Sequence, residues 1–251
     1  MSSATPVEPD DRAARRAAWR ASLAVGLAVS AYGVSFGALA VASGLDVWQA
    51  CVLSLVMFSG GSQFALIGVL ASGGVAAGPA AIAGATLLGL RNGLYAIRVS
   101  PIVGPGWAKR LLAGHLTIDE STAVATAQPT LVGQKIGFWA TGAIIYVGWN
   151  LTTLLGALVG NLIGDVSSWG LDAAAAAAFL GLVWPRLRAL QPVVVAIAAA
   201  IVCAVLIPVL PPGLPVLAAA LVALVVGLPD LFARRSHALS SPRPDAAGGD
   251  A

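Results

Sequence analysis

Met57-Phe58-Ser59-Gly60-Gly61-Ser62-Gln63-Phe64-Ala65 lies inside a run from Ala50 to Leu70 that is long and apolar enough to cross a bilayer. A membrane helix has no obvious structural use for two adjacent glycines flanked by two serines and a glutamine. Glycine has no Cβ and weakens helical backbone. Ser59, Ser62 and Gln63 are spaced i, i+3, i+4 and would share one face of an unbroken helix. Polar groups in hydrocarbon must find partners, or lie where the chain faces protein or a water-filled cavity. The stretch is read as a bent or unwound helix at a binding site. The alternative is helix packing, in which small residues let backbones approach and Ser and Gln bond across helices.

Working outward, the totals agree with a membrane setting. The 251 residues are 58% hydrophobic and 10% charged, with a mean hydropathy of +0.88. Soluble domains carry about 25% charged residues. So few charges cannot cover a water-soluble surface. The expected fold is therefore an all-α integral membrane protein, a polytopic helical bundle of about seven spans (six to eight) at about 20 residues each. The net charge of +3 does not imply nucleic acid, because the arginines cluster at span ends as positive-inside topology requires. Cys51 and Cys203 lie in apolar runs without metal-ligand spacing, so neither a disulfide framework nor a metal site is expected, and no cofactor is.

Residues 1–17 read as a disordered cytoplasmic tail, 18–232 as a single transmembrane transporter domain, and 233–251 as a second cytoplasmic tail. The first apolar run, Ala21 to Ala42, exceeds a signal-peptide core and is read as an uncleaved span. Gly33 and Gly37 give it a small-residue packing face. Asp46 ends a short turn and is a candidate N-cap for the next helix. The second span carries the Ser-Gly-Gly-Ser-Gln centre and is read as broken. Residues 72–79 form a loop, and Ser100-Pro101 is expected to end a third helix begun near Ala80. Trp107 to Leu112 reads as an interfacial segment. Residues 115–128 are too short and polar for an ordinary span and read as a re-entrant or half helix. A long span from Ile136 ends with Gly156, Gly160 and Gly164, again small-xxx-small. Further spans are expected before Trp184, from Pro192 to Leu210, and from Pro215 to Leu231. Both termini are placed in the cytoplasm; the topology of residues 70–130 stays open. Leu87-Leu88-Gly89-Leu90 and Phe179-Leu180-Gly181-Leu182 hint weakly at two related halves.

Arg91 and Asn92 sit in the third run. Arg91 lies about 10 Å deeper along a helix axis than Arg98. At that depth an arginine needs a partner or water; Arg91 is read as neutralising a substrate carboxylate, with a permanent pair to Asp119 or Glu120 that locks two helices as the alternative. Asp119 and Glu120 are the candidate proton carriers, since intramembrane carboxyls mark function by default. His115, four residues before Asp119, is read as a surface histidine, with pairing to Asp119 as the alternative. A serine hydrolase built on Ser59 or Ser62 with His115 lacks a third group to orient the histidine, so enzymatic activity is not expected.

Gly33-Val34-Ser35-Phe36-Gly37-Ala38-Leu39-Ala40, Trp48-Gln49-Ala50, Phe58-Ser59-Gly60-Gly61-Ser62-Gln63-Phe64-Ala65, Leu90-Arg91-Asn92-Gly93-Leu94-Tyr95 and Thr117-Ile118-Asp119-Glu120-Ser121 occur in that order. Together they resemble the large subunit of branched-chain amino acid exporters, the azaleucine-resistance (AzlC-type) permease family. The resemblance covers about Ala21 to Leu231. It departs at Asn92, where the family pattern usually has histidine, which puts coupling or substrate choice in question. It implies export of valine, leucine or isoleucine across the cytoplasmic membrane, with a separately encoded small hydrophobic (AzlD-type) membrane subunit. On this reading Ser59, Gly60, Gly61, Ser62, Gln63, Arg91 and Asn92 bind the amino acid, and Asp119 and Glu120 carry the proton. A channel, an exporter of another small hydrophobic solute, or a structural membrane subunit are the alternatives.

Overall fold

The computed structural model describes residues 11–163, 180, 184, 187–188, 190–211, 214–222 and 225. Among them the regular structure is helical: α1 Asp11–Ala42, α2 Val47–Val56, α3 Gly60–Gly73, a short 3-10 turn Gly74–Ala77, α4 Gly78–Val103, α5 Trp107–Leu116, α6 Asp119–Thr126, α7 Leu131–Ile163 and α8 Leu190–Leu206. The chain falls into two compact units, Met1–Gly181 and Leu182–Ala251. Helices α1 to α7 belong to the first unit and α8 to the second. The expected alanine-rich span after Asp172, the second Leu-Gly-Leu copy and the end of the last span lie outside the described residues.

Among the described residues, three candidate spans are long and apolar enough to cross a membrane: Asp11–Ala42, Gly60–Val103 (α3, the 3-10 turn and α4 together) and Leu131–Leu162. Val47–Val56 and Pro192–Leu206 are apolar but shorter. Helix α1 begins at Asp11, inside the stretch read as a tail, with its acid in the first turn where the helix dipole favours it.

The scaffold of the first unit is the α1–α7 pair. Ala18, Ser22, Gly26, Ser30, Gly33, Gly37 and Ala40 recur every three or four residues and are all buried on α1. In lipid, helix association rests on close packing, which small residues permit. A Cβ on Gly37 would strike the Thr153 carbonyl, and one on Gly156 would strike the Val34 carbonyl. The glycine faces read in Gly33/Gly37 and in Gly156/Gly160 are thus the two halves of one contact. Thr152 Oγ1 ties it by donating to Ser30 O at 2.6 Å.

The candidate N-cap at Asp46 is realised as a reciprocal capping box. Asp46 Oδ1 accepts from Gln49 N at 2.8 Å and Gln49 Oε1 accepts from Asp46 N at 2.9 Å. Two expectations about α4 need correction. Residues 72–79 are the end of α3, a 3-10 turn and the start of α4 rather than a loop, so α3 and α4 follow each other closely. Pro101 does not end α4, which runs on to Val103. So near the end of the helix, proline removes one backbone hydrogen bond. Burial of Val99, Ile102 and Val103 against Ala113, Ala125 and Phe138 offsets that loss. The helix stops at Gly104, whose φ of +79° suits glycine.

Residues 115–128 contain the end of α5 and the eight-residue α6. Between them Thr117 and Ile118 are extended. This is a second helix break, in the place where a half helix was expected.

Candidate functional site

Helix α2 stops at Val56 because the backbone turns away at Met57 (φ −99°, ψ 73°). Ser59 is extended (φ −158°, ψ 97°), and α3 starts at Gly60. Ser59 O accepts from Gln63 N at 2.9 Å as the first bond of α3. The first amides of a helix have no acceptor within it. Gly60, Gly61 and Ser62 hold those positions, where N–H groups and helix dipole together favour an anion.

The break is closed from behind. Gln63 is fully buried. Its Nε2 donates to Met57 O at 2.7 Å and to Ser54 O at 3.4 Å. Its Oε1 accepts from Trp149 Nε1 at 2.9 Å. The Trp149 ring also lies 3.3 Å from where a Cβ on Gly60 would sit. Gln63 therefore satisfies carbonyls that the unwound turn has released.

Ser59 and Ser62 are buried, with Ser59 Oγ donating to Ser62 Oγ at 3.1 Å. Both line a cavity of about 610 Å³. Its polar wall adds Asn92 and His115, and its apolar wall includes Leu66, Ile82 and Leu90. Small-molecule sites run from roughly 300 to 1,000 Å³. Gly60, Gly61, Gln63 and Arg91 are not part of this lining.

Arg91 instead joins the two breaks. Its Nη2 lies 2.8 Å from the position of a Cβ on Gly61, in the first turn of α3. Its Nη1 pairs with Asp119 Oδ2 at 3.0 Å, at the first residue of α6. Both side chains are only about a quarter exposed, 27% and 25%. Glu120 follows Asp119 in the same first turn and is half-buried. Arg91 Nε, Asn92 Oδ1 and Thr122 Oγ1 are buried and unmatched among the described residues. They lie on α4 and α6, the helices that the ion pair links.

The break between α5 and α6 is held locally. Ser121 Oγ accepts from Ile118 N at 3.1 Å and donates to Leu116 O at 2.8 Å. Thr117 Oγ1 donates to Ala113 O at 2.6 Å. His115 is not a simple surface residue. Its half-buried ring lies 6.0 Å from Phe58 and 5.3 Å from Tyr146 by ring centroids, on the cavity wall.

The predicted residues other than Glu120 thus separate into three groups. Ser59, Ser62 and Asn92 face the cavity; Gly61, Arg91 and Asp119 form the charged junction; Gly60 and Gln63 pack on Trp149. Trp149 and Phe58 were not anticipated. A tryptophan in an apolar run carries no local sign of such a role. The order Phe-Ser-Gly-Gly-Ser-Gln-Phe was a sufficient sign for Phe58, which opens it. Among the described residues no three His, Cys, Asp or Glu side chains group as a metal site.

Apolar helices, one interruption beside a pocket and a charged junction belong together in a membrane protein. Residues 24–163 match the family model described as AzlC protein, and the chain belongs to that family of membrane transporters. No curated protein and no solved structure matches the chain.

Proposed function

We propose that the chain is the large subunit of a secondary exporter for branched-chain amino acids, coupled to protons and working in the cytoplasmic membrane with a small hydrophobic subunit. The reading places both termini in the cytoplasm. The observation that carries it is the cavity at the α2–α3 break, whose lining combines Ser59, Ser62 and Asn92 with aliphatic side chains.

A zwitterion with an aliphatic side chain needs three things: a cation or N–H groups for its carboxylate, an acceptor for its ammonium, and a dry wall. The first turn of α3, which meets the cavity at Ser62, supplies the first, with Arg91 beside Gly61 and outside the cavity lining. Asn92 Oδ1, buried without a partner, and Asp119 are candidates for the second. Leu66, Ile82 and Leu90 supply the third. The Arg91–Asp119 pair has the charge layout of an inserted zwitterion, with carboxylate toward Arg91 and ammonium toward Asp119. A proton on Asp119 removes the ammonium's acceptor, so proton and amino acid compete. Competition of that kind is what exchange of one for the other across a membrane requires. By linkage the competition is reciprocal.

The test is efflux from proteoliposomes, with and without the small subunit, over a panel of aliphatic amino acids. The expected result is saturable leucine, isoleucine or valine counterflow whose apparent affinity weakens as pH falls. A channel would give no counterflow, and a structural subunit would bind no leucine by itself. A fixed Arg91–Asp119 clamp would leave affinity independent of pH.

A further inference from the structure

We propose that Trp149 is the positioning residue that keeps the α2–α3 break open, acting through Gln63. Closing α2 onto α3 would send Phe58 N–H to Ser54 O and Gly61 N–H to Met57 O, the i to i−4 pattern. Gln63 Nε2 donates to both of those carbonyls, at 3.4 Å to Ser54 O and 2.7 Å to Met57 O, the latter also accepting from Ser59 N at 2.8 Å. Gln63 therefore stands in for the amides of Phe58 and Gly61, and each is left without its helical acceptor.

An amide side chain can present either end. Trp149 decides which. An indole nitrogen only donates and a carbonyl only accepts. With Trp149 Nε1 at 2.9 Å on one side, Gln63 must turn its oxygen to Trp149 and its NH₂ to the break. Trp149 is itself held among Tyr32, Phe36 and Phe64. It stands on α7, within the glycine-notched α1–α7 scaffold. Its ring meanwhile fills the space over Gly60. The break is thus held open by groups that do not line the cavity, and the free amides exist before any solute arrives. Preorganisation of this kind lowers the free energy of ordering on binding.

The functional half of the proposal rests on the export reading; the structural half does not. Wild type, Trp149→Phe, Gln63→Leu and the double variant are compared in lipid nanodiscs by hydrogen exchange over residues 54–64 and by equilibrium binding of leucine. Trp149→Phe keeps a ring but removes the donor. The expected result is exchange at residues 60–62 slowed at least tenfold as the helix closes. Leucine binding should weaken about tenfold, the equivalent of one lost buried hydrogen bond. Gln63→Leu, which leaves the tryptophan in place, should do the same if Trp149→Phe is poorly folded. Because Trp149 acts through Gln63, adding Trp149→Phe to Gln63→Leu should change nothing further. Unchanged exchange in both single variants overturns the proposal. So does a double variant whose loss is the product of the two single losses, as independent packing defects would give. If exchange behaves as expected while wild type binds no leucine, the export reading fails and the positioning role stands.

Discussion

The two helix breaks are alike in shape and unlike in charge. At the α5–α6 break the new helix opens with Asp119 and Glu120, so the protein provides anions for its own helix dipole. At the α2–α3 break the new helix opens with Gly60-Gly61-Ser62 and has no acid in its first turn. The first is capped by its neighbour in sequence, Ser121; the second is held by Trp149, 86 residues from Gln63. Arg91 touches both. One site carries its counter-ion and the other leaves a place for one. A local cap keeps a turn wherever it goes, whereas a distant clamp keeps an opening at one place in the scaffold.

The strongest way to break this contrast is to neutralise the occupied end. Asp119→Asn leaves Arg91 without its charged partner. Losing a charge-assisted hydrogen bond of about 1.5–3 kcal/mol should lower leucine counterflow roughly ten- to a hundredfold. It should also flatten the dependence of affinity on pH. Counterflow and its pH profile at wild-type levels would remove Asp119 from the mechanism.

Gly61→Ala acts at the α2–α3 break. The new Cβ would lie 2.8 Å from Arg91 Nη2, so the guanidinium must shift against its hold on Asp119. A loss of affinity of about tenfold, with abundance in the membrane unchanged, is expected for about 1.4 kcal/mol of lost alignment. Equal affinity would place the solute elsewhere than the first turn of α3.

Ser121→Ala separates local from distant restraint. It strips Ile118 N and Leu116 O of their side-chain partner. Stability in detergent should fall by about 1–2 kcal/mol. Hydrogen exchange at the α2–α3 break should stay as it was. Altered exchange there would show that the two breaks open together.

Asp46→Ala is the reference for a helix end outside both breaks. It removes the capping box of α2. About 1 kcal/mol of stability should be lost, measured by thermal unfolding, with leucine affinity within about twofold of wild type. A larger change in affinity would mean that the position of α2 as a whole, rather than the break, sets the site.

Much of this was legible in the residues. Ser59-Gly60-Gly61-Ser62 announces an interruption because glycine and small polar residues are poor choices for a lipid-facing helix. Asp46 followed by Gln49 announces a helix start. Gly33/Gly37 and Gly156/Gly160 announce close packing, though not that they pack on each other. Arg91 declares a need for a partner by its depth alone. Other features left no mark. The extension of α4 through Pro101 depends on what Val99, Ile102 and Val103 bury against. Gln63 reads as a ligand for solute, since sequence cannot show that all its polar atoms are taken. Its partner Trp149 looks like any aromatic residue in an apolar run.

The sequence by itself determined that this is a helical membrane protein, where its helices are interrupted, and that it belongs with the AzlC proteins. The helical membrane character and the α2–α3 interruption follow from composition and local backbone preference, which act within a few residues; the family follows from the order of its motifs along the chain. Only the tertiary structure decided that Arg91 pairs with Asp119, that Trp149 turns the Gln63 amide toward the break, and that the serines face a cavity. Those are choices among partners far apart in the chain. Directional hydrogen bonds and close packing make them, and neither is encoded in the order of neighbouring residues.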